Sequence, residues 1–197
     1  MAEAVHEISH EATHSAAHSG RKADRFVGLL ISVLALMLAV SEMQGKSAQT
    51  NALAYNIEAS NLWSFFQAKT IRQTVLRTAG EEAALAGAEA PAVKKQIESW
   101  KATIDRWESE PSTNEGRREL MARAKETERK RDEAFAKYHA FEVASLVLQL
   151  GIVLASVTLI SGLLGFALAS AALGAAGLAL LIGINLAPLT VAAMLPH

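Results

Sequence analysis

The sequence predicts an all-α integral membrane protein with three transmembrane helices and a long, coiled-coil-like helical stalk outside the membrane. Its charges are segregated: residues 44–142 hold 16 of the 19 lysines and arginines and 15 of the 20 aspartates and glutamates, whereas residues 143–197 hold none. A soluble protein spreads its apolar residues along the chain instead. The charged segment is helical in composition, and no proline occurs from residue 44 to residue 90.

The first apolar run, Phe26–Met43, predicts a transmembrane helix. Its eighteen residues would span about 27 Å as a helix, close to the thickness of a bilayer's hydrocarbon core. A cleaved signal peptide is the competing interpretation, because Ala39–Ser41 resembles a small-residue cleavage site. The helical pattern continues past Met43 without a turn signal, which favours an uncleaved span.

The uncharged segment of residues 143–187 is long enough for a hairpin of two further spans. Val143–Ile160 makes the first span, Phe166–Ala187 makes the second, and the two glycines within Ser161–Gly165 predict the turn between them. Pro188 ends the last helix. The apolar tail of residues 188–197 is predicted to lie along the membrane surface or against a neighbour.

Three helices are predicted in the stalk of residues 44–142, over about 44–79, 91–109 and 113–142. Apolar and small residues recur near heptad spacing in the first helix: Leu53, Ile57, Ser60, Ser64, Ile71, Val75 and Thr78. A 4, 3, 4, 3 spacing in the second helix indicates a docking seam, made by Val93, Ile97, Trp100, Ile104 and Trp107. We expect Trp63 and Phe66 to pack against Trp100 and Trp107 as a small aromatic core. A ligand pocket at these aromatic residues is the alternative.

Two stretches carry a resemblance to a known family: "NLWSFFQAKTIRQTV" (Asn61–Val75) and "EVASLVLQLGIVLASVTLISG" (Glu142–Gly162). Together they resemble a bacterial membrane-protein family catalogued as domain of unknown function 4337, and the similarity runs from the first span to the third. The chain departs from the usual pattern at Phe65 and Phe66, where tyrosines are common, and it lacks basic residues in the Ser161–Gly165 hairpin. The resemblance implies three spans with a helical extramembrane part, and it implies no activity.

The N-terminal tail, residues 1–25, contains two overlapping copies of the zinc-protease signature His-Glu-x-x-His within "HEISHEATHSAAH". A zinc protease holds that motif on a helix in a core and adds a third ligand from elsewhere. Here the motif lies in a polar tail before any span, and nothing in the sequence fixes a third ligand or a substrate cleft. A metalloprotease is therefore not predicted.

A metal-binding tail remains a hypothesis. Its four histidines are spaced four residues apart and would share one face of a helix: His6, His10, His14 and His18. Adjacent pairs could chelate zinc, nickel or copper. A solvated tail without a ligand is the favoured interpretation, and a pH-sensitive stripe is a third. No other cofactor is predicted.

Small and polar residues within the spans indicate where helices meet. In the third span, Ser170 with Gly174, and Ala179 with Gly183, have the spacing that allows close helix approach. We expect a homo-oligomer interface there, with packing inside the chain as the alternative. Three polar residues are candidates for lining a pore: Glu42, Gln149 and Thr158.

The leading functional hypothesis is a non-enzymatic, self-associating scaffold of the bacterial inner membrane. An oligomeric channel is one alternative, and an accessory subunit of a larger membrane complex, metal-linked through the His-rich tail, is another. Partners are thus the lipid bilayer, further copies of the chain or other membrane subunits, and no nucleic acid. The sequence shows no nucleophile–base pair, phosphate loop or cysteine.

Basic residues before the first span favour a cytoplasmic N-terminus and a periplasmic stalk: Arg21, Lys22 and Arg25.

Overall fold

The computed structural model describes the backbone of residues 2–87 and 90–187, and the side chains of residues 24–87 and 90–187. Within these residues the chain forms four helices and no strand: α1 (Ala2–Gly87), α2 (Pro91–Glu108), α3 (Arg117–Ser161) and α4 (Leu164–Leu186). The all-α prediction is confirmed. Helices α1, α3 and α4 are each long and apolar enough to cross a membrane.

The ends of the helices follow from local chemistry. Proline occupies the first position of α2, where its missing N–H leaves no hydrogen bond unmade. Between α3 and α4 only two residues intervene, and Gly162 adopts a left-handed φ of 68° there. Its N–H donates to the carbonyl of Thr158 over 2.9 Å, which closes the helix in the way that glycine favours. The glycine-rich segment predicted as the turn therefore contains the turn.

The bounds of the helices differ from those the sequence indicates. The backbone of α1 is one helix from Ala2 to Gly87, which continues past residue 79 and shows no break where the apolar run meets the charged segment. Helix α3 begins at Arg117 instead of residue 113, because residues 109–116 form a loop between α2 and α3. The same helix then continues into the second apolar run without interruption.

Two compact units divide the chain. Met1–Gln49 and Phe135–His197 form the first, here called the apolar unit, and Thr50–Ala134 forms the second, the charged unit. Helices α1 and α3 contribute to both, α4 lies in the apolar unit, and α2 lies in the charged unit.

The core of the apolar unit joins all three of its helices. Leu34 of α1 packs with buried residues of α3 and α4, which are Ala140, Phe141, Ala144, Leu148, Leu181 and Ile184. A second small cluster unites Val27, Ala155 and Ala167. Alanine and glycine recur at these contacts, so the helix backbones approach closely, as in many helix pairs within membranes.

Steps of three, four and seven residues separate the buried positions of α1 in the charged unit, as in a heptad seam. Those positions are Ala52, Ala59, Leu62, Lys69 and Gln73, with Phe66 half-buried among them. Leu62 packs against Leu120 and Ala124 of α3. Pairing is antiparallel, because residues later in α1 contact residues earlier in α3: Trp63 meets Glu128, and Gln73 meets Arg117.

Candidate functional site

A groove of about 860 Å³ lies between α1 and α3 in the apolar unit. Glu42, Lys46 and Gln49 line it from α1. From α3 it is lined by polar residues, including His139, Glu142 and Gln149, and by an apolar set made of Ala140, Phe141, Val143 and Leu146. The groove therefore has a polar mouth and an apolar wall.

Glu142 is held in place by two neighbours on its own helix. Tyr138 donates its hydroxyl proton to Oε1 of Glu142 over 2.8 Å, and Nδ1 of His139 lies 3.2 Å from Oε2. The hydrogen bond to this carboxylate raises the pKa of the Tyr138 phenol. Glu42 faces the same groove from α1. The two carboxylates thus belong to different helices and share one concavity.

The three residues predicted to line a pore occupy two different places. Glu42 and Gln149 both line the groove. Thr158 is buried and donates its hydroxyl proton to the carbonyl of Leu154 on its own helix, over 3.1 Å. The structure therefore brings together two of the three.

Ser170 and Gly174, the first small-residue pair of α4, lie inside the chain's own three-helix packing. Ser170 is fully buried and donates its hydroxyl proton to the carbonyl of Gly151 over 2.7 Å. A Cβ added at Gly174 would meet Cδ2 of Leu34 at 2.7 Å. Of the second pair, Ala179 is exposed and Gly183 is half-buried. The pattern thus contributes to intrachain packing at the first pair, and only Ala179 lies on the open side.

Of the four aromatic residues predicted to form one core, Trp63 and Phe66 lie on α1, and Trp100 and Trp107 lie on α2. Trp63 donates its indole N–H to Oε1 of Glu128 over 3.0 Å. Its ring packs edge-on against the Phe66 ring, with 5.5 Å between the ring centres. Trp100 packs near Gly80 instead: its ring would lie 3.9 Å from a Cβ added to that glycine. Seventeen residues of helix, about 25 Å, separate Trp63 from Gly80. Trp107 is half-buried on α2. Trp63 and Phe66 therefore pack chiefly on α3, and Trp100 packs on the later part of α1.

A polar cluster that sequence reasoning missed ties the three helices of the charged unit together. Gln73 of α1, only 3% exposed, donates to the carbonyl of Ile104 at 3.0 Å and accepts a hydrogen bond from Arg117 at 3.0 Å. Arg117 of α3 also pairs with Glu108 of α2 at 2.9 Å and stacks on the Phe66 ring, 5.0 Å from its centre. No local sequence signal could have revealed it, since Gln73 lies 31 residues from Ile104 and 44 residues from Arg117 along the chain.

The opposite side of α1 in the charged unit presents a second heptad pattern, which we call the outer face. Its residues are all exposed, and they are Leu53, Ile57, Ser60, Ser64, Gln67, Ile71, Thr74 and Thr78. None of them is charged. Leu53, Ile57 and Ile71 are 53%, 62% and 64% exposed, far more than apolar residues of a covered seam. The described part of the chain leaves this face open over about 38 Å of helix.

Polar side chains on the outer face are partly satisfied within α1. Ser64 donates its hydroxyl proton to the carbonyl of Ser60 over 2.9 Å, and Thr74 donates to the carbonyl of Thr70 over 3.0 Å. Hydroxyl groups bonded in this way can be covered by another helix at little cost in lost hydration. The face is therefore suited to contact with protein as well as with water.

The histidines of the N-terminal tail, His6, His10, His14 and His18, lie outside the residues whose side chains are described. Metal binding by this tail stays a prediction. Among the side chains of residues 24–87 and 90–187, no group of three or more histidine, aspartate or glutamate residues could hold a metal ion.

Comparison with known proteins assigns the chain to a family. It belongs to the family described as Domain of unknown function (DUF4337), whose model matches residues 23–185. The match covers the first span, the whole charged unit and nearly all of α4. No curated protein and no solved structure matches the chain.

Proposed function

We propose that this member of the DUF4337 family is a non-enzymatic scaffold of the bacterial inner membrane, which self-associates through the outer face of α1. The single observation that carries the proposal is an exposed, charge-free heptad face in the unit that holds most of the chain's charges. The N-terminus lies in the cytoplasm in this proposal, and the charged unit lies in the periplasm, because basic residues cluster before the first span.

Support for a membrane location comes from the apolar surface that the chain leaves uncovered. Of the most apolar 18 residues in each candidate span, only 17%, 28% and 28% are buried inside the protein. Large side chains such as Leu36, Leu150 and Leu168 are 67%, 58% and 73% exposed. Lipid is the medium that accommodates such a surface, since exposed apolar patches of this extent are rare in soluble monomers.

A bilayer would not cover the outer face of α1, because this face belongs to the charged unit. Water is a poor environment for three exposed branched aliphatic residues on one stripe, namely Leu53, Ile57 and Ile71. The 4, 3 spacing suits a second helix with the same spacing, and the absence of charge avoids like-charge repulsion when the face meets its own copy. The occupant we propose is therefore a second copy of the chain.

The residue types favour a parallel two-stranded coiled coil. When the heptad is assigned from the spacing, Ile57 and Ile71 occupy a positions and Leu53 occupies a d position, which is the combination typical of parallel dimers. Copies inserted in one membrane with the same topology also have parallel α1 helices. Each outer-face residue would then meet the same residue of the second copy across a two-fold axis.

Single-cysteine cross-linking tests this arrangement directly, because the chain contains no cysteine of its own. Ile57→Cys and Ile71→Cys should form disulfide-linked dimers in isolated membranes, at twice the 21.0 kDa mass of the chain. Glu58→Cys and Arg72→Cys are matched controls, since each lies one residue further along α1, exposed but turned about 100° away. These controls should remain monomeric on a denaturing gel.

Two outcomes would contradict the proposal. Equal cross-linking at the outer face and at the control positions would indicate random collision, and an Ile57→Cys adduct of different mass would indicate a foreign partner. Native mass spectrometry in nanodiscs supplies an independent readout: a dimer is expected for the unmodified chain and a monomer for Ile57→Asp with Ile71→Asp. A monomeric unmodified chain would overturn self-association itself.

A further inference from the structure

The groove of the apolar unit has the composition of a binding site for an amphiphilic cation. We propose that it binds an amphiphilic organic ammonium, whose charged head lies between Glu42 and Glu142 and whose apolar chain follows the exposed side of α1 and α3. The inference rests on the membrane location in the proposed function, and it is independent of self-association.

Charge is the first argument. The groove is lined by two carboxylates, Glu42 and Glu142, and by one ammonium, Lys46, which leaves a formal charge of −1 with His139 neutral. A ligand with one positive charge neutralises that excess. Because Glu42 and Glu142 stand on different helices, a cationic head group between them is attracted by both carboxylates, and this Coulomb attraction needs no N–H donor on the ligand.

The walls of the groove provide a second argument. Tyr138 lines it, and the face of an aromatic ring attracts ammonium groups, quaternary ones included. Both oxygens of Glu142 have partners, Tyr138 and His139, so the carboxylate is held in one orientation before a ligand arrives. A fixed carboxylate costs less conformational entropy on binding than a freely rotating one.

Position along the helices is the third argument. Glu142 is the last charged residue of α3, and no charged residue follows it in the sequence. Leu146, Leu150 and Val153 continue from the groove along α3, and these side chains are 59%, 58% and 57% exposed. An ammonium at the carboxylates would therefore place its alkyl chain along an apolar path, as an amphiphile at a membrane boundary requires.

Equilibrium binding to the full chain in maltoside detergent micelles, whose head groups carry no ammonium, tests the proposal, with protein-free micelles as background. Octyltrimethylammonium is the probe, octyl sulfate reverses the charge at the same chain length, and tetramethylammonium removes the chain. We expect saturable binding of one octyltrimethylammonium per chain. Octyl sulfate and tetramethylammonium should each bind at least about tenfold more weakly, since each lacks one half of the recognition.

Variants assign the site. Glu42→Gln and Glu142→Gln should each weaken octyltrimethylammonium binding by about tenfold, because each removes one of the two carboxylate charges that attract the ammonium. Glu58→Gln, an exposed carboxylate of the charged unit, should leave it unchanged. Unchanged binding in Glu42→Gln, or equal binding of octyl sulfate, would overturn the proposal. Far-UV circular dichroism checks that each variant remains folded.

The same ammonium chemistry occurs in a lipid head group, and lipid added to the micelles distinguishes the two sources. If added phosphatidylethanolamine competes with the probe, the natural ligand is the lipid; if it does not, the ligand is a free amphiphile. Native mass measured on the same samples separates this inference from the proposed function. A monomer that binds the probe would overturn self-association and leave the groove assignment standing, whereas a dimer that does not bind would do the reverse.

Discussion

Leu34 of α1 lies directly against Gly174 of α4, so closely that a Cβ added to the glycine would come within 2.7 Å of Leu34 Cδ2. Leu34 itself is 1% exposed and also contacts buried residues of α3. One leucine and one glycine therefore set the distance between α1 and α4 in the apolar unit.

Gly174→Leu should destabilise the apolar unit by about 1–3 kcal/mol, the usual cost of overpacking a well-filled core. Titration with dodecyl sulfate, followed by far-UV circular dichroism, measures the change. Gly165→Leu is the matched control, because nothing lies within 4 Å of a Cβ at that glycine of the same helix. Combining Gly174→Leu with Leu34→Ala should recover part of the loss, and an additive double variant would contradict direct contact.

Arg117→Leu should destabilise the charged unit by about 1–3 kcal/mol, because it removes the donor to the buried side-chain oxygen of Gln73 and one partner of Glu108. All three tryptophans lie in this unit. Urea unfolding followed by their fluorescence therefore reports on the charged unit alone.

Arg118→Leu is the control, since Arg118 is 71% exposed at its side chain and contacts the same Glu108 at 3.4 Å. We expect it to change stability by less than about 0.5 kcal/mol, and equal effects would argue against the cluster.

Some parts of this structure can be predicted from the sequence, and others cannot. Segregated charge and apolar run length determine the helix content and the hairpin, because a glycine pair is the only local break between residues 143 and 187. The sequence does not predict in this way which face of α1 is buried within the chain. Its buried seam includes Lys69 and Gln73, while the outer face holds Ile57 and Ile71, so a hydrophobic pattern alone favours the wrong side. Buried polar residues of this kind are satisfied by partners distant in sequence, which periodicity does not reveal.

Small residues of α4 illustrate the same limit. Small-x-x-x-small spacing indicates close helix approach, but it does not indicate whether the approaching helix belongs to the same chain. Ser170 and Gly174 meet α3 and α1 of their own chain. The short hairpin turn imposes the α3–α4 part of this arrangement, since only residues 162 and 163 separate the two helices and they must pack as neighbours.

Ser109→Ala should lower the stability of the charged unit more at neutral pH than at low pH. Ser109 donates its hydroxyl proton to Glu119 Oε1 over 2.7 Å, and this hydrogen bond is the largest cause that lowers the pKa of Glu119. A carboxyl with a lowered folded-state pKa stabilises the fold above its unfolded pKa, about 4.3. That contribution disappears as the pH falls through the lower folded value.

Urea unfolding at pH 7 and at pH 3, followed by tryptophan fluorescence, measures this pH dependence. The difference between Ser109→Ala and the unmodified chain should shrink at pH 3, where Glu119 is increasingly protonated. Ser112→Ala, an exposed residue of the same loop, should show no such dependence. A difference that is equal at both pH values would mean that Ser109 stabilises the loop without acting through the Glu119 carboxylate.

Gly116→Ala should destabilise the charged unit, because this buried glycine closes the loop that leads into α3. An added Cβ would collide with the Glu119 carboxylate and with the backbone nitrogen of Glu110, and it would lie 2.7 Å from Cα of Ser109. Two of these atoms are backbone, so they cannot move aside as a side chain does, and we expect a loss of about 1–3 kcal/mol.

Gly80→Ala is the comparison within the same unit, since its Cβ would make only a normal contact with Trp100 at 3.9 Å. That variant should be neutral or up to about 1 kcal/mol more stable, because alanine favours a helix over glycine. Opposite signs in urea unfolding would therefore confirm the close approach at Gly116, and a neutral Gly116→Ala would show that the loop can open at that point.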